Sequence, residues 1–255
     1  MKIFYTSLSL FLFTLQLTTN AQLAIDLESG AVFNGSYNNI RIPGNNATEF
    51  NAFGKDFSTD PTWFYRIRVG YTFNSKHTIT ALYAPLSVYS NSISNTPTPI
   101  LFEGQSFGLA NGLKVKYTFN SCRLTYRYHF INNDTWNFGI GLTAKIRDAG
   151  IRLQDNNTSA EKTDLGIVPL INFYAKWNPC KQLGILIEGD GLATPFTPGR
   201  AFDIFGGLTY KLIPSTELKA GYRILEGGAD TDKVYNFTLL HYASVGLTFT
   251  FGERQ

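Results

Sequence analysis

The chain is poor in the residues that most enzyme chemistry uses. Of 255 residues, two are cysteine, three are histidine and one is methionine. Cys122 and Cys180 fall on different segments and imply no disulfide framework. No Cys/His cluster has the spacing of a metal site, and no resident cofactor is indicated. No Gly-X-Ser-X-Gly elbow occurs. Charged residues make up 16%, against about 25% in ordinary soluble domains. The net charge of +3 is too mild to argue for a nucleic-acid partner. Beyond the N-terminus no apolar run approaches the roughly 20 residues of a membrane helix.

Aromatic residues, by contrast, reach 15%, with 21 Phe and 14 Tyr. The N-terminus reads as a secretory signal over 1–21: Lys2, an apolar stretch over 3–17, then Thr19-Asn20-Ala21 ending in a small residue suited to cleavage. Residues 22–255 then fit one all-β domain.

About ten strand candidates follow, roughly 23–34, 61–73, 77–88, 113–130, 135–153, 164–177, 183–193, 201–212, 217–226 and 234–251. Several alternate with period two. Trp63, Tyr65, Ile67, Val69, Tyr71 and Phe73 share a face against Arg66, Arg68, Gly70 and Thr72. Trp136, Phe138, Ile140, Leu142, Ala144 and Ile146 oppose Asn137, Gly139, Gly141, Thr143, Lys145 and Arg147. The connections alternate short and long. Short ones lie at 74–76, 131–134, 178–182 and 213–216; long ones at about 35–60, 90–112, 154–163, 194–200 and 227–233. A transmembrane barrel has this asymmetry, with short periplasmic turns and longer external loops.

The sequence therefore predicts a single antiparallel transmembrane β-barrel of about ten strands, with eight or twelve as alternatives. Its apolar face meets lipid and its polar face lines the lumen. Trp63, Phe73, Trp136, Trp177, Tyr210, Phe249 and Phe251 lie near strand ends, as interfacial girdles require. Three strands fit poorly. The third carries Pro85 and alternates weakly. The fourth shifts its apolar residues from odd to even positions near Asn120, which a β-bulge or a strand rising clear of the membrane would explain. The sixth is apolar on both faces and contains Pro169.

Lumen-facing positions hold Asp26, Glu28, Glu188 and Asp190 beside Arg66, Arg68, Arg123, Arg127, Lys145, Arg147 and Arg223. Charges inside a narrow barrel must be paired or hydrated. The leading reading is a side-chain-filled lumen in a structural or surface-interaction protein. A narrow pore for small anions is the alternative, because bases outnumber acids. A lipid or peptide hydrolase ranks third: His77 and His129 sit beside periplasmic turns, and His241 lies mid-strand on a mainly apolar face. Asp148, Glu226, Asp230 and Asp232 could hold a divalent ion, but without a ligand-loop spacing they read as solvated turns.

The leader, the alternating aromatic strands, the short/long connections and the ending Phe249-Thr250-Phe251 resemble the small outer-membrane β-barrel proteins of Gram-negative bacteria. The resemblance spans about 22–251 and rests on architecture. It implies export to the bacterial outer membrane, contact with its lipid and lipopolysaccharide, and recognition of the C-terminal strand by the barrel-insertion machinery. Gly252 to Gln255 extend past the last aromatic, where many members end on it.

Overall fold

The computed structural model describes residues 21–95, 98–193 and 199–252. The expected signal falls outside these except for Ala21, as do the 194–198 part of one external loop and the last three residues. The strands are β1 (Gln22–Arg41), β2 (Phe50–Asn51), β3 (Phe57–Thr59), β4 (Thr62–Phe73), β5 (His77–Ala84), β6 (Ser87–Ser92), β7 (Ile100–Phe102) and β8 (Gln105–Phe107). After a 3-10 turn at Leu109–Asn111 come β9 (Lys114–Asn132), β10 (Trp136–Gln154), β11 (Ser159–Trp177), β12 (Leu183–Ala193), β13 (Gly199–Ile213), β14 (Thr216–Asp230) and β15 (Tyr235–Phe251).

Ten of these strands form a closed antiparallel barrel, in the order β1-β4-β5-β9-β10-β11-β12-β13-β14-β15, with β15 pairing back onto β1. The ring leaves no free backbone edge in its paired part, which is the condition for a sheet to cross lipid. Short connections join the strands at one end, the periplasmic end of this fold class. Between β4 and β5 the reversal puts Asn74 and Ser75 at φ 50 and 54, a left-handed geometry that Asn tolerates better than most residues.

The external connections are less uniform than their sequence suggests. Two are long, and they carry β2, β3 and the β7–β8 hairpin. Two others shrink to the four-residue turns 155–158 and 231–234, because β10, β11 and β14 run on past the expected ends. What reads as loop there is strand standing above the membrane.

That extension also decides between the two explanations for β9, in favour of a strand rising clear of the membrane. No bulge occurs at Asn120, and the odd positions face inward from Val115 to His129; the strand's register shift lies at Phe130, near its periplasmic end. Instead both faces change composition together. Below Asn120 the inward residues are Ser121, Arg123, Thr125 and Arg127, and the outward ones Leu124, Tyr126 and Tyr128. Above it the inward residues are Val115, Tyr117 and Phe119, and the outward ones Lys114, Lys116 and Thr118. The interruption lies on the facing strand: Pro85 ends β5, and pairing with β9 resumes at Ser87 in β6.

β10 switches at the same level. Ile140, Leu142 and Ile146 point outward, then Asp148, Arg152 and Gln154. From Trp136 to Ile146 is ten residues, about 33 Å of strand, or about 25 Å of height at a ~40° tilt, the apolar band of such barrels. The outward Leu142 and Ile167 are 69% and 77% exposed. Such side chains are stable in lipid and not in water.

Above the membrane the interior is an apolar core. Val32, Phe64, Val88, Val115, Tyr117, Leu153, Leu240 and Tyr242 point in from the wall, and Phe64 meets Tyr242 edge-on at 4.9 Å. Ile42, Ala52, Ile100, Phe102, Phe107 and Leu113 enter from the two long connections, which fold over the mouth. Each fully buried Leu, Ile or Phe contributes about 1.5–3 kcal/mol.

Candidate functional site

The lumen within the membrane is filled by a connected set of ion pairs. Arg66 places Nη1 and Nη2 at 3.0 Å from one oxygen of Asp203. Arg123 reaches Asp190 at 2.7 Å and Asp203 at 2.5 Å. Arg223 donates two bonds to Glu28, each 2.8 Å, and one to Asp203 at 2.6 Å. Lys219 joins Asp26 at 2.8 Å to Glu28 at 3.0 Å. Arg68 joins Asp26 at 2.9 Å to Glu188 at 2.7 Å, and Arg127 stands 4.0 Å from Glu188.

Neutral groups complete the set: Ser244 donates to Glu28, and Thr143 and Asn172 to Asp190. Phe205, fully buried, lies under the cations of Lys219 and Arg223, with centroid distances of 5.4 and 5.3 Å. Charge-assisted bonds of this length compensate for burial that would otherwise be prohibitive.

One contact defines the geometry. Arg68 is on β4 and Glu188 on β12, and these strands stand diametrically opposite in the ring. The bridge spans the lumen wall to wall.

Nine of the residues read from the sequence lie in this set: Asp26, Glu28, Arg66, Arg68, Arg123, Arg127, Glu188, Asp190 and Arg223. Two residues that the sequence reading left out, Asp203 and Lys219, are central to it. Both sit at inward positions of regular strands, so strict alternation would have found them; apolar Phe205, also inward, obscures the pattern in β13. Lys145 and Arg147 also point inward but do not belong. Arg147 pairs with Asp164 on β11, and Lys145 has no carboxylate within 4 Å among the described residues. The network then holds nearly equal numbers of bases and acids, not the excess of bases that favoured an anion pore.

Above the network lies a cavity of about 650 Å³. Lys145, Arg147, Lys162, Arg200 and Lys233 line it against two carboxylates, Asp164 and Glu226, and its remaining wall is largely apolar. Arg200 pairs with Glu226 at 2.7 Å, and Glu226 also accepts from Tyr37 at 2.8 Å.

The aromatic residues are distributed unevenly. Phe73, Trp136, Trp177, Tyr210, Phe249 and Phe251 sit at the periplasmic ends of their strands, and Trp136 stacks on Trp177 at 5.6 Å. Trp63 alone is at the external end, opposite Ala31. Tyr65, Tyr83 and Tyr222, all outward and about half exposed, accompany it there.

His241 also faces outward, without the phase slip that would turn it to the lumen. Its Nε2 is 2.6 Å from Ser36 Oγ and its Nδ1 meets the Tyr222 hydroxyl. Its ring partners include no carboxylate. His77 contacts the Tyr126 hydroxyl at 2.8 Å, and His129 bonds Asn137 at 2.6 Å. Asp148 bonds Asn120. No three of the His, Cys, Asp or Glu side chains among the described residues converge as metal ligands, Asp148, Glu226, Asp230 and Asp232 included.

No protein-family model matches the chain, and no curated protein resembles it in sequence. The fold does have solved counterparts. The outer-membrane protease OmpT of Escherichia coli aligns over 94% of this chain and 99% of its own, with a TM-score of 0.55 at 8% identity. An outer-membrane channel from Pseudomonas putida F1 aligns over 92% and 97%, at 0.43 and 9% identity. Ail, the attachment invasion locus protein of Yersinia pestis, aligns over 91% and 99%, at 0.41 and 7% identity. The chain has the fold of the bacterial outer-membrane β-barrels. With its apolar outer belt, that fold belongs in the outer membrane of a Gram-negative cell.

Proposed function

We propose that this barrel is a non-conducting, non-enzymatic protein that works through its external half, as a structural or surface-interaction component of the outer membrane. The observation that carries this reading is the bridge from Arg68 to Glu188 between opposite walls, embedded in the ion-pair set around Asp203. A solute path through the lumen would have to break several charge-assisted bonds at once, each worth more than a neutral hydrogen bond. Within the network the near balance of bases and acids weakens the case for anion selectivity.

The hydrolase reading has little support. His241 has a serine neighbour, but its second ring nitrogen faces a tyrosine hydroxyl and not an acid that would hold the ring and stabilise its charged form. The likeness to a protease is one of fold. The apolar belt suits outer-membrane lipid and lipopolysaccharide as surroundings, and β15, with its aromatic end, is the segment we assign to the insertion machinery.

Planar-bilayer recording of the refolded mature chain tests the proposal. A sealed barrel gives no steady unitary current. Steady, anion-selective steps would replace this reading with the pore.

A further inference from the structure

We propose that the external cavity binds a long-chain carboxylate taken from the outer leaflet, with the head group at Lys145 and the tail along the apolar wall. This goes beyond the sealed-lumen reading and is tested separately from it.

The first observation is Lys145 itself. It is 2% exposed, lines the cavity, and has no carboxylate partner within 4 Å among the described residues. Its Nζ lies 4.4 Å from the centroid of the Phe119 ring. The cavity's other strand cations are matched: Arg147 by Asp164, Lys162 by Glu103 and Arg200 by Glu226. A buried ammonium with no carboxylate in direct contact is expensive, and an anion arriving beside it relieves that cost.

The second is the shape and chemistry of the wall. Ile42, Tyr117, Ile151, Val168, Leu192 and Leu225 supply apolar lining. The volume of about 650 Å³ falls inside the ~300–1,000 Å³ usual for small-molecule sites. A small hydrated anion would lose its water against such a wall, whereas an alkyl chain gains from it. The charged floor closes the lower end.

The third is a break in the barrel wall. β11 pairs with β10 along its whole length, but with β12 only over 171–177. Pairing stops two residues short of Pro169, which has no N–H to offer a ladder. Among the described residues, no strand covers that side of β11 over 159–170. The cavity is lined both by inward Val168 and by outward Ile167 and Pro169, so it wraps the edge of β11 and reaches the lipid-facing surface. Ile167 is level with Ile146, at the top of the apolar belt. Leu165 and Ile167, at 73% and 77%, are among the most exposed apolar residues on the molecule. An amphipathic anion in the outer leaflet thus meets the break at the level of Lys145, which lies inside opposite Val168.

The test is displacement of cis-parinaric acid from the mature protein in nanodiscs, with empty nanodiscs as baseline. Palmitate should displace it, hexadecanol at least ten-fold more weakly, and acetate not at all. Lys145→Met should weaken palmitate at least ten-fold and leave hexadecanol unchanged. Val168→Trp, which fills the cavity, should abolish displacement by either. The boiling-dependent gel shift shows whether each variant is folded. Equal affinity for palmitate and hexadecanol in the wild type, displacement by acetate, or unchanged binding in Val168→Trp would each overturn the assignment, even if Lys145→Met failed to fold.

Discussion

The same ten strands enclose two interiors of opposite character. In the periplasmic half the core is made of arginines, lysines and carboxylates, and the surface is leucine and isoleucine. In the external half the core is phenylalanine, leucine and valine, and the surface is lysine, aspartate and glutamine. Between β9 and β10 nothing about the backbone changes at the border, since their pairing runs unbroken from Gln154 opposite Lys114 to Ile140 opposite Tyr128. The solvent changes. Where lipid surrounds the wall, the outer face must be apolar and the polar groups turn inward, where they satisfy one another. Where water surrounds it, the ordinary soluble arrangement returns. β9 and β10 each contain both arrangements and exchange them between neighbouring residues.

This contrast can be broken most severely at Asp203, which receives Arg66, Arg123 and Arg223. Asp203→Ala leaves the buried Arg66 without a carboxylate and takes one of two from Arg123 and Arg223, and loss of one partner from a buried set costs about 3–5 kcal/mol. Urea unfolding in micelles, followed by the gel shift, should show that loss or an inability to refold. Wild-type stability in this variant would mean that the network is hydrated and loose.

The outer face can be tested with one substitution on each side of the border. Leu142→Arg, in mid-belt, should cost about 2–4 kcal/mol. Gln154→Arg, outward on the same strand but above the belt, should change stability by less than about 0.5 kcal/mol. Equal costs would place the border elsewhere.

The smallest effect concerns Asp155, in the turn between β10 and β11. Burial pushes its carboxyl up, but the backbone N–H groups of Asn157, Thr158 and Gly108 more than compensate and hold it below its usual range. A group with a lowered folded-state pKa contributes its full stability above the unfolded value, near 3.9, and loses it as pH falls through the folded value. Protection factors for hydrogen exchange at Gly108 and Thr158, corrected for the intrinsic slowing of exchange in acid, should therefore fall below about pH 4, and Asp155→Asn should remove that pH dependence.

Much of the membrane half was legible. The alternation in β4 and β10 placed Arg66, Arg68 and Lys145 inward and Ile67 and Leu142 outward, because lipid permits few exceptions there. The external half was harder to read for a definite reason. When both faces of β9 exchange composition at Asn120, an unbroken strand looks in sequence like a slip of one residue. Loops 42–61 and 93–113 carry polar and turn-forming residues, and nothing local in them announces that Phe57, Phe102 and Phe107 enter a core formed by strands far along the chain. Pro169 was visible as an irregularity, but its effect on pairing with β12 belongs to register, which the sequence does not spell out.

The seam between the first and last ring strands has a kinetic consequence. Leu23 lies opposite Phe251, and Arg41 opposite Tyr235, so the contacts that shut the cylinder join the two extremes of the chain. Adjacent hairpins such as β10 with β11 can form as soon as their own residues are present. The seam must await the whole polypeptide and bears the largest loop-closure entropy of any pairing in the ring. Until it forms, β1 and β15 each expose an unsatisfied edge, and assembly in the membrane should be paced by this final zippering.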